Sequence, residues 1–187
     1  DEAFAASFGF EESADLRAIN TAALRTMTSD QLDALTGTQM AQLTTGQVAA
    51  LTTAQLSNLG SDDLNALSSS QFSALSSTQV ASLTSDQIGT LQSDDVRAIS
   101  SAGLRAWSTD QLAALSETNM GALTTAQVAS LTTAQVSSLV TDDLNALGTA
   151  QFAALTTAQV TSLTGAQVGG LVSDDLRAMT TAQFGAM

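Results

Sequence analysis

The residues of this chain that could do chemistry are few and regularly placed. Eighteen acids stand against five basic residues, all of them arginine, for a formal charge of −13, and there is no histidine, cysteine or tyrosine. Within the repeats the carboxylates cluster as four Asp-Asp pairs: Asp62 and Asp63, Asp94 and Asp95, Asp142 and Asp143, Asp174 and Asp175. Hard cations such as calcium take oxygen ligands of this kind. A calcium site needs more ligands and usually a turn glycine, however, and the chain has neither a DxDxDG loop nor a glycine-aspartate nonapeptide. Acids in the first turn of a helix complement its dipole, which is the better account of the pairs. The expectation is no metal and no cofactor, with these eight aspartates as the candidates should calcium bind.

Catalysis finds little to work with. Without His, Cys or Lys, and without a GxSxG or phosphate-binding loop, no nucleophile has a base beside it, so the chain reads as a non-enzyme. The arginines each stand directly after an apolar residue (Arg17, Arg25, Arg97, Arg105, Arg177), and Arg17, Arg97 and Arg177 follow Asp15, Asp95 and Asp175 by two positions. Such pairs suggest salt bridges, within the chain or to an adjacent subunit, on a solvated face, where each contributes about 0–1 kcal/mol. The acidic balance repels phosphate backbones and anionic lipid and excludes nucleic-acid binding. The amino terminus is acidic and unlike a signal peptide, and the longest apolar run is far short of a membrane span. Missing cysteines remove disulfides and fit either redox compartment.

The elements that carry these residues follow from two apolar columns. One recurs every eight residues from Leu16 through Leu24, Leu32, Met40 and Val48 to Val168, Leu176 and Phe184. The second lies three residues behind, from Ile19 and Met27 through Ile99 and Trp107 to Met179 and Met187. A spacing of three and five would put the columns on opposite faces of a strand, whereas an i, i+3 pair shares one helical face. One continuous helix also fails, because eight residues turn it by about 800° and the stripe would drift by about 80° per octad. The chain must bend once in every octad.

The bend is written in the polar positions. Ahead of the first apolar column stands Gln (Gln31, Gln39, Gln47, Gln127, Gln135) or Asp (Asp63, Asp95, Asp143, Asp175), and three residues earlier mostly Thr or Ser. Thr-x-x-Gln is a capping-box signature, so each octad is a capped helix of about a turn and a half. Fourteen such glutamines could also form a side-chain ladder along a stack. Helices this short are unstable alone, so stability must come from stacking, aided by a small residue before the second column (Ala34, Ala66, Ala114, Ala146, Gly170). Trp107 takes a position that Met27 and Met187 hold in their own octads, which makes it core.

A longer period overlies the short one. Residues 16–95 align without gaps on 96–175 with 47 of 80 positions identical, and a partial third copy runs over 176–187. The Asp-Asp pairs are spaced by multiples of sixteen, and Met40, Phe72, Ile88, Met120, Phe152 and Phe184 fall in alternate octads. This phasing points to a sixteen-residue layer of two helices. The fold class is an all-α elongated solenoid of short capped helices, one per octad, over 16–187. Residues 1–15, with Phe4, Phe8 and Phe10, read as an amino-terminal cap or a docking arm. A stack whose next layer repeats its last can grow head to tail, and Phe4, Phe8, Phe10, Phe184 and Met187 are the candidates for that self-assembly.

Two resemblances add expectations. The phrase LTTAQV is similar to the opening helix of TAL-effector repeats (Leu-Thr-x-x-Gln-Val-Val-x-Ile), but the long second helix, the base-reading residues and the basic character are absent, so DNA reading does not carry over. Leu16 to Met187 resembles the Leu-Thr-x-x-Gln octapeptide arrays of large acidic, cysteine-free secreted or surface proteins of bacteria, often described as adhesin-like or haem-utilisation-like. That resemblance implies a structural role outside the cell or on its surface, as a fibre or adhesin spacer. For haem it leaves only Met as an axial ligand. The alternative is a binding module that offers one solenoid face to a protein, peptide or glycan.

Overall fold

The computed structural model describes residues 13–187, with side chains from Leu16 onward. The expected amino-terminal cap or arm, with Phe4, Phe8 and Phe10, lies outside these residues except for the start of the first helix. The described chain is twenty-two short helices, numbered from α1 (Ser13–Ala18) to α22 (Thr181–Phe184), without a strand among them. One helix falls in each octad. The N-cap is the Thr or Ser three residues before the Gln: Thr44, in extended conformation at φ −69° and ψ 156°, accepts from the Gln47 amide, and the Gln47 side chain accepts from the Thr44 amide. Thirteen helices carry this full capping box. At Gly148 only the Gln151 half exists.

Each helix ends where the second-column residue closes it. The amide of Leu51 bonds the Val48 carbonyl at 3.1 Å, and Leu51 itself is extended at ψ 142°, which sends the chain into the next cap. Both columns turn inward. First-column residues from Leu16 to Val160 are almost fully buried, and most second-column residues join them in one continuous core. The end turns depart, with Ile19 and Met27 half-buried at one end and Val168 and Leu176 at the other.

The sixteen-residue layer is not what forms. Helices that pack on one another are three apart along the chain, α1 on α4 (Gly37–Gln42) and so on to α19 (Thr157–Thr161) on α22. Hydrogen bonds between turns span 25 to 31 residues. A bond spanning 28 residues marks the middle of that range, so a turn takes about three and a half octads (28/8). The per-octad rotation is then about 100°, and two helices cannot bring the chain back on itself. Because the turn holds a half-integral number of octads, each helix sits between two of the turn below, as bricks do. The alternation of Met, Phe and Ile has no counterpart in this geometry.

Close approach of turns relies on small residues, as expected. A Cβ on Gly37 would lie 3.3 Å from that of Ala66, and a Cβ on Gly121 would lie 2.8 Å from the Ala146 carbonyl oxygen.

Candidate functional site

The repeated polar feature of this solenoid is one glutamine amide. Oε1 of Gln47 accepts from the Thr44 amide at 2.8 Å, and Nε2 donates to the carbonyls of Leu16 at 2.6 Å and Ile19 at 2.9 Å in the preceding turn. The same side chain therefore caps its own helix and staples it to the turn below. Gln55 does so to Leu24 and Met27, Gln87 to Leu56 and Leu59, and Gln159 to Val128 and Leu131. Twelve glutamines reach the second-column carbonyl 28 residues earlier. For Gln31 and Gln39 that position falls outside the described residues. The last carbonyls of a helix have no partner within it, and these staples supply one. The amides do not ladder onto one another: each ends on backbone.

Asp enters where Gln is missing and does only half of its work. Asp95 and Asp143 take a hydrogen bond from the amides of Gln92 and Val140, the N-cap positions of α11 (Ser93–Ala98) and α17 (Thr141–Asn145), but a carboxylate has nothing to donate downward. Their octads staple upward instead. Two residues after the Asp, Asn65 donates to the Thr90 carbonyl at 3.0 Å, Arg97 to Ala122 at 3.1 Å and Asn145 to Gly170 at 3.1 Å. Arg17 reaches Gln42 in the same way. Arg or Asn occupies this position in every octad whose capping residue is Asp, Ala or Gly, and in no octad that has Gln.

Arg17 and Arg97 thus do more than line a solvated face. Their carboxylate partners also differ from the expected ones: Arg97 pairs with Asp94 at 3.5 Å and Arg177 with Asp174 at 3.3 Å, all four exposed, because residues three apart share a helical face and residues two apart do not. Each Asp-Asp pair is split between environments. Asp62, Asp94, Asp142 and Asp174 are exposed, Asp95, Asp143 and Asp175 are buried, and Asp63 is half-buried. Among the described residues no group of three or more acids could hold a metal ion. Burial pushes Asp63 and Asp95 up to about 6, with Asp33 and Asp62 adding to the first and Asp94 to the second. Burial raises Asp143 and Asp175 from the ordinary 3.8 as well.

Trp107 lies in the core, and its indole Nε1 donates to the Val80 carbonyl at 2.9 Å, so Gln111 moves one residue on, to Ala81. A surface groove of about 430 Å³ lies beside Arg25, Thr52 and Ser76. Of the self-assembly candidates, Phe184 is 51% exposed and Met187 54%. No described helix is long and apolar enough to cross a membrane.

The ALTTAQ-repeat family model matches residues 12–45, 56–93, 88–125 and 138–173, well over half of the chain. The chain belongs to the ALTTAQ-repeat family. No curated protein matches it. The six letters occur verbatim at 50–55, 122–127 and 154–159, and the geometry gives them meaning. In the ALTTAQ phrase of 122–127, Leu123 closes one helix, Thr124 caps the next, and Gln127 joins that cap to the turn below. Every matched segment of the ALTTAQ-repeat chain is longer than the 31 residues that the longest staple spans.

Proposed function

We propose that this ALTTAQ-repeat chain is a non-catalytic structural element, a segment of an extracellular or bacterial cell-surface fibre or adhesin spacer, that extends by head-to-tail stacking. One observation carries this reading: in ten octads the glutamine amide meets the same two backbone carbonyls, 28 and 31 residues earlier. Backbone acceptors are indifferent to sequence, so a turn of another copy can replace a turn of the same chain. Leu163, Leu171 and Met179 in the last turn hold the column position whose carbonyl staples use below, and Phe184 and Met187 expose apolar surface. Self-association is therefore the first partner, with a surface protein or glycan as a further one.

Sedimentation velocity over a hundredfold concentration range, with electron microscopy of the same samples, tests the proposal. Stacking predicts end-to-end oligomers that lengthen with concentration at constant width. A species that stays monomeric at the highest concentration contradicts self-stacking.

A further inference from the structure

Asn119 shows how far a four-atom polar side chain reaches from the staple column. It is one methylene shorter than Gln, yet its Nδ2 donates to the Leu91 carbonyl, 28 residues earlier, at 2.7 Å. Asp has the same length as Asn and differs in that it donates only when protonated. Asp95, Asp143 and Asp175 occupy the same column and are 5%, 7% and 3% exposed. One oxygen of Asp175, Oδ2, is buried without a hydrogen-bond partner.

We propose that Asp95, Asp143 and Asp175 are proton-operated staples, whose neutral carboxyls donate to the carbonyls of Leu67, Leu115 and Leu147 in the turn below and whose ionised forms release them. When ionised, each carboxylate meets the negative end of a carbonyl dipole in a site with little water; the amides of Gln92 and Val140 offset part of that cost at Asp95 and Asp143, and desolvation outweighs them. The joints between turns therefore tighten on acidification.

The surrounding charges act in the same direction. Asp95 on α11 packs between α8 (Ser69–Ser73), which has no titratable group, and α14 (Glu117–Ala122), which has Glu117; Asp94 is its neighbour, and α7 (Ser61–Asn65) below carries Asp62 and Asp63. Asp143 on α17 meets Glu117 of α14 and its neighbour Asp142, with Asp110 on α13 (Thr109–Ala113) below and no titratable group on α20 (Gly165–Gly170). Asp175 on α21 (Ser173–Ala178) has Asp174 beside it, none on α18 (Thr149–Ala153), and Asp142 and Asp143 on α17 below. The cations on the helices of Asp95 and Asp175, Arg97 and Arg177, are engaged with Asp94 and Asp174. Asp95 is raised to about 6 against 3.8 in the unfolded chain. The folded state thus holds the extra proton between these values, and its stabilisation is complete below about 4 and lost as pH rises through about 6.

Thermal melts from pH 4 to pH 8 test this with two triple variants of equal charge. Asp95→Asn, Asp143→Asn and Asp175→Asn together supply permanent donors; Asp94→Asn, Asp142→Asn and Asp174→Asn together change only the exposed members. The wild type should lose Tm as pH rises from about 5 to about 7. The first variant should be flat over that range and melt about 5 °C or more above the wild type at pH 7.5. The second should keep the wild-type slope. Equal flattening by both variants would mean general charge repulsion and would overturn the proposal. Carbon-13 titration of the wild-type Asp carboxyls gives a check independent of the variants: midpoints near 3.8 for all three would also overturn it.

Discussion

Gln127 is 2% exposed and uses every polar atom of its amide: Oε1 takes the Thr124 amide, and Nε2 serves the carbonyls of Val96 and Ile99 at 2.8 Å each. The capping half of this role is legible in the sequence, because Thr-x-x-Gln before an apolar pair is a known helix start. The stapling half is signalled more quietly. A capping box accepts Glu as readily as Gln, yet this column holds fourteen Gln and no Glu, so the nitrogen must be needed. The variants Thr124→Ala and Gln127→Glu separate the two functions. Losing the cap should cost about 1 kcal/mol in urea unfolding. Gln127→Glu keeps the cap acceptor but removes both donors and buries a charge against carbonyl oxygens, which should cost about 2–4 kcal/mol at pH 7.5 and less at pH 4.5.

At the scale of the helix, the octad and its two columns are legible because periodicity and capping are local properties. The number of octads per turn is not, since it depends on small rotations at the extended pair that joins helices, for example Leu51 at ψ 142° and Thr52 at ψ 157°, and many residue types adopt those values. The Asp-Asp spacing and the Met and Phe alternation pointed to a two-helix layer, yet both copies of the duplicated eighty residues carry them. They record one arrangement twice. What packs the helices across turns is the small residue, and Gly121 tests it. Gly121→Ala would put a Cβ 2.8 Å from the Ala146 carbonyl oxygen and should destabilise by about 1–3 kcal/mol. Gly169→Ala, in a helix with nothing within 4 Å of the added atom, should be neutral or stabilise by about 0.5–1 kcal/mol, as chemical denaturation would show.

Across the described residues, stability comes from a stack in which each turn contacts its neighbours. The sequence foretold an all-helical solenoid but left the Asp octads as plain caps, because their upward staples through Asn65, Arg97 and Asn145 join residues 25 apart, a separation that no local pattern reveals. The length of the turn governs every contact between turns, and a disulfide measures it. The chain has no cysteine, and a Cβ at Gly37 would lie 3.3 Å from Ala66 Cβ, close to the separation that a disulfide spans. Mild oxidation of the Gly37→Cys, Ala66→Cys variant should give a quantitative intrachain disulfide, read by mass spectrometry. The Gly37→Cys, Thr53→Cys variant, which places the cysteines sixteen residues apart, should stay reduced. Efficient closure of the second variant with none of the first would contradict a turn of about three and a half octads and restore the two-helix layer.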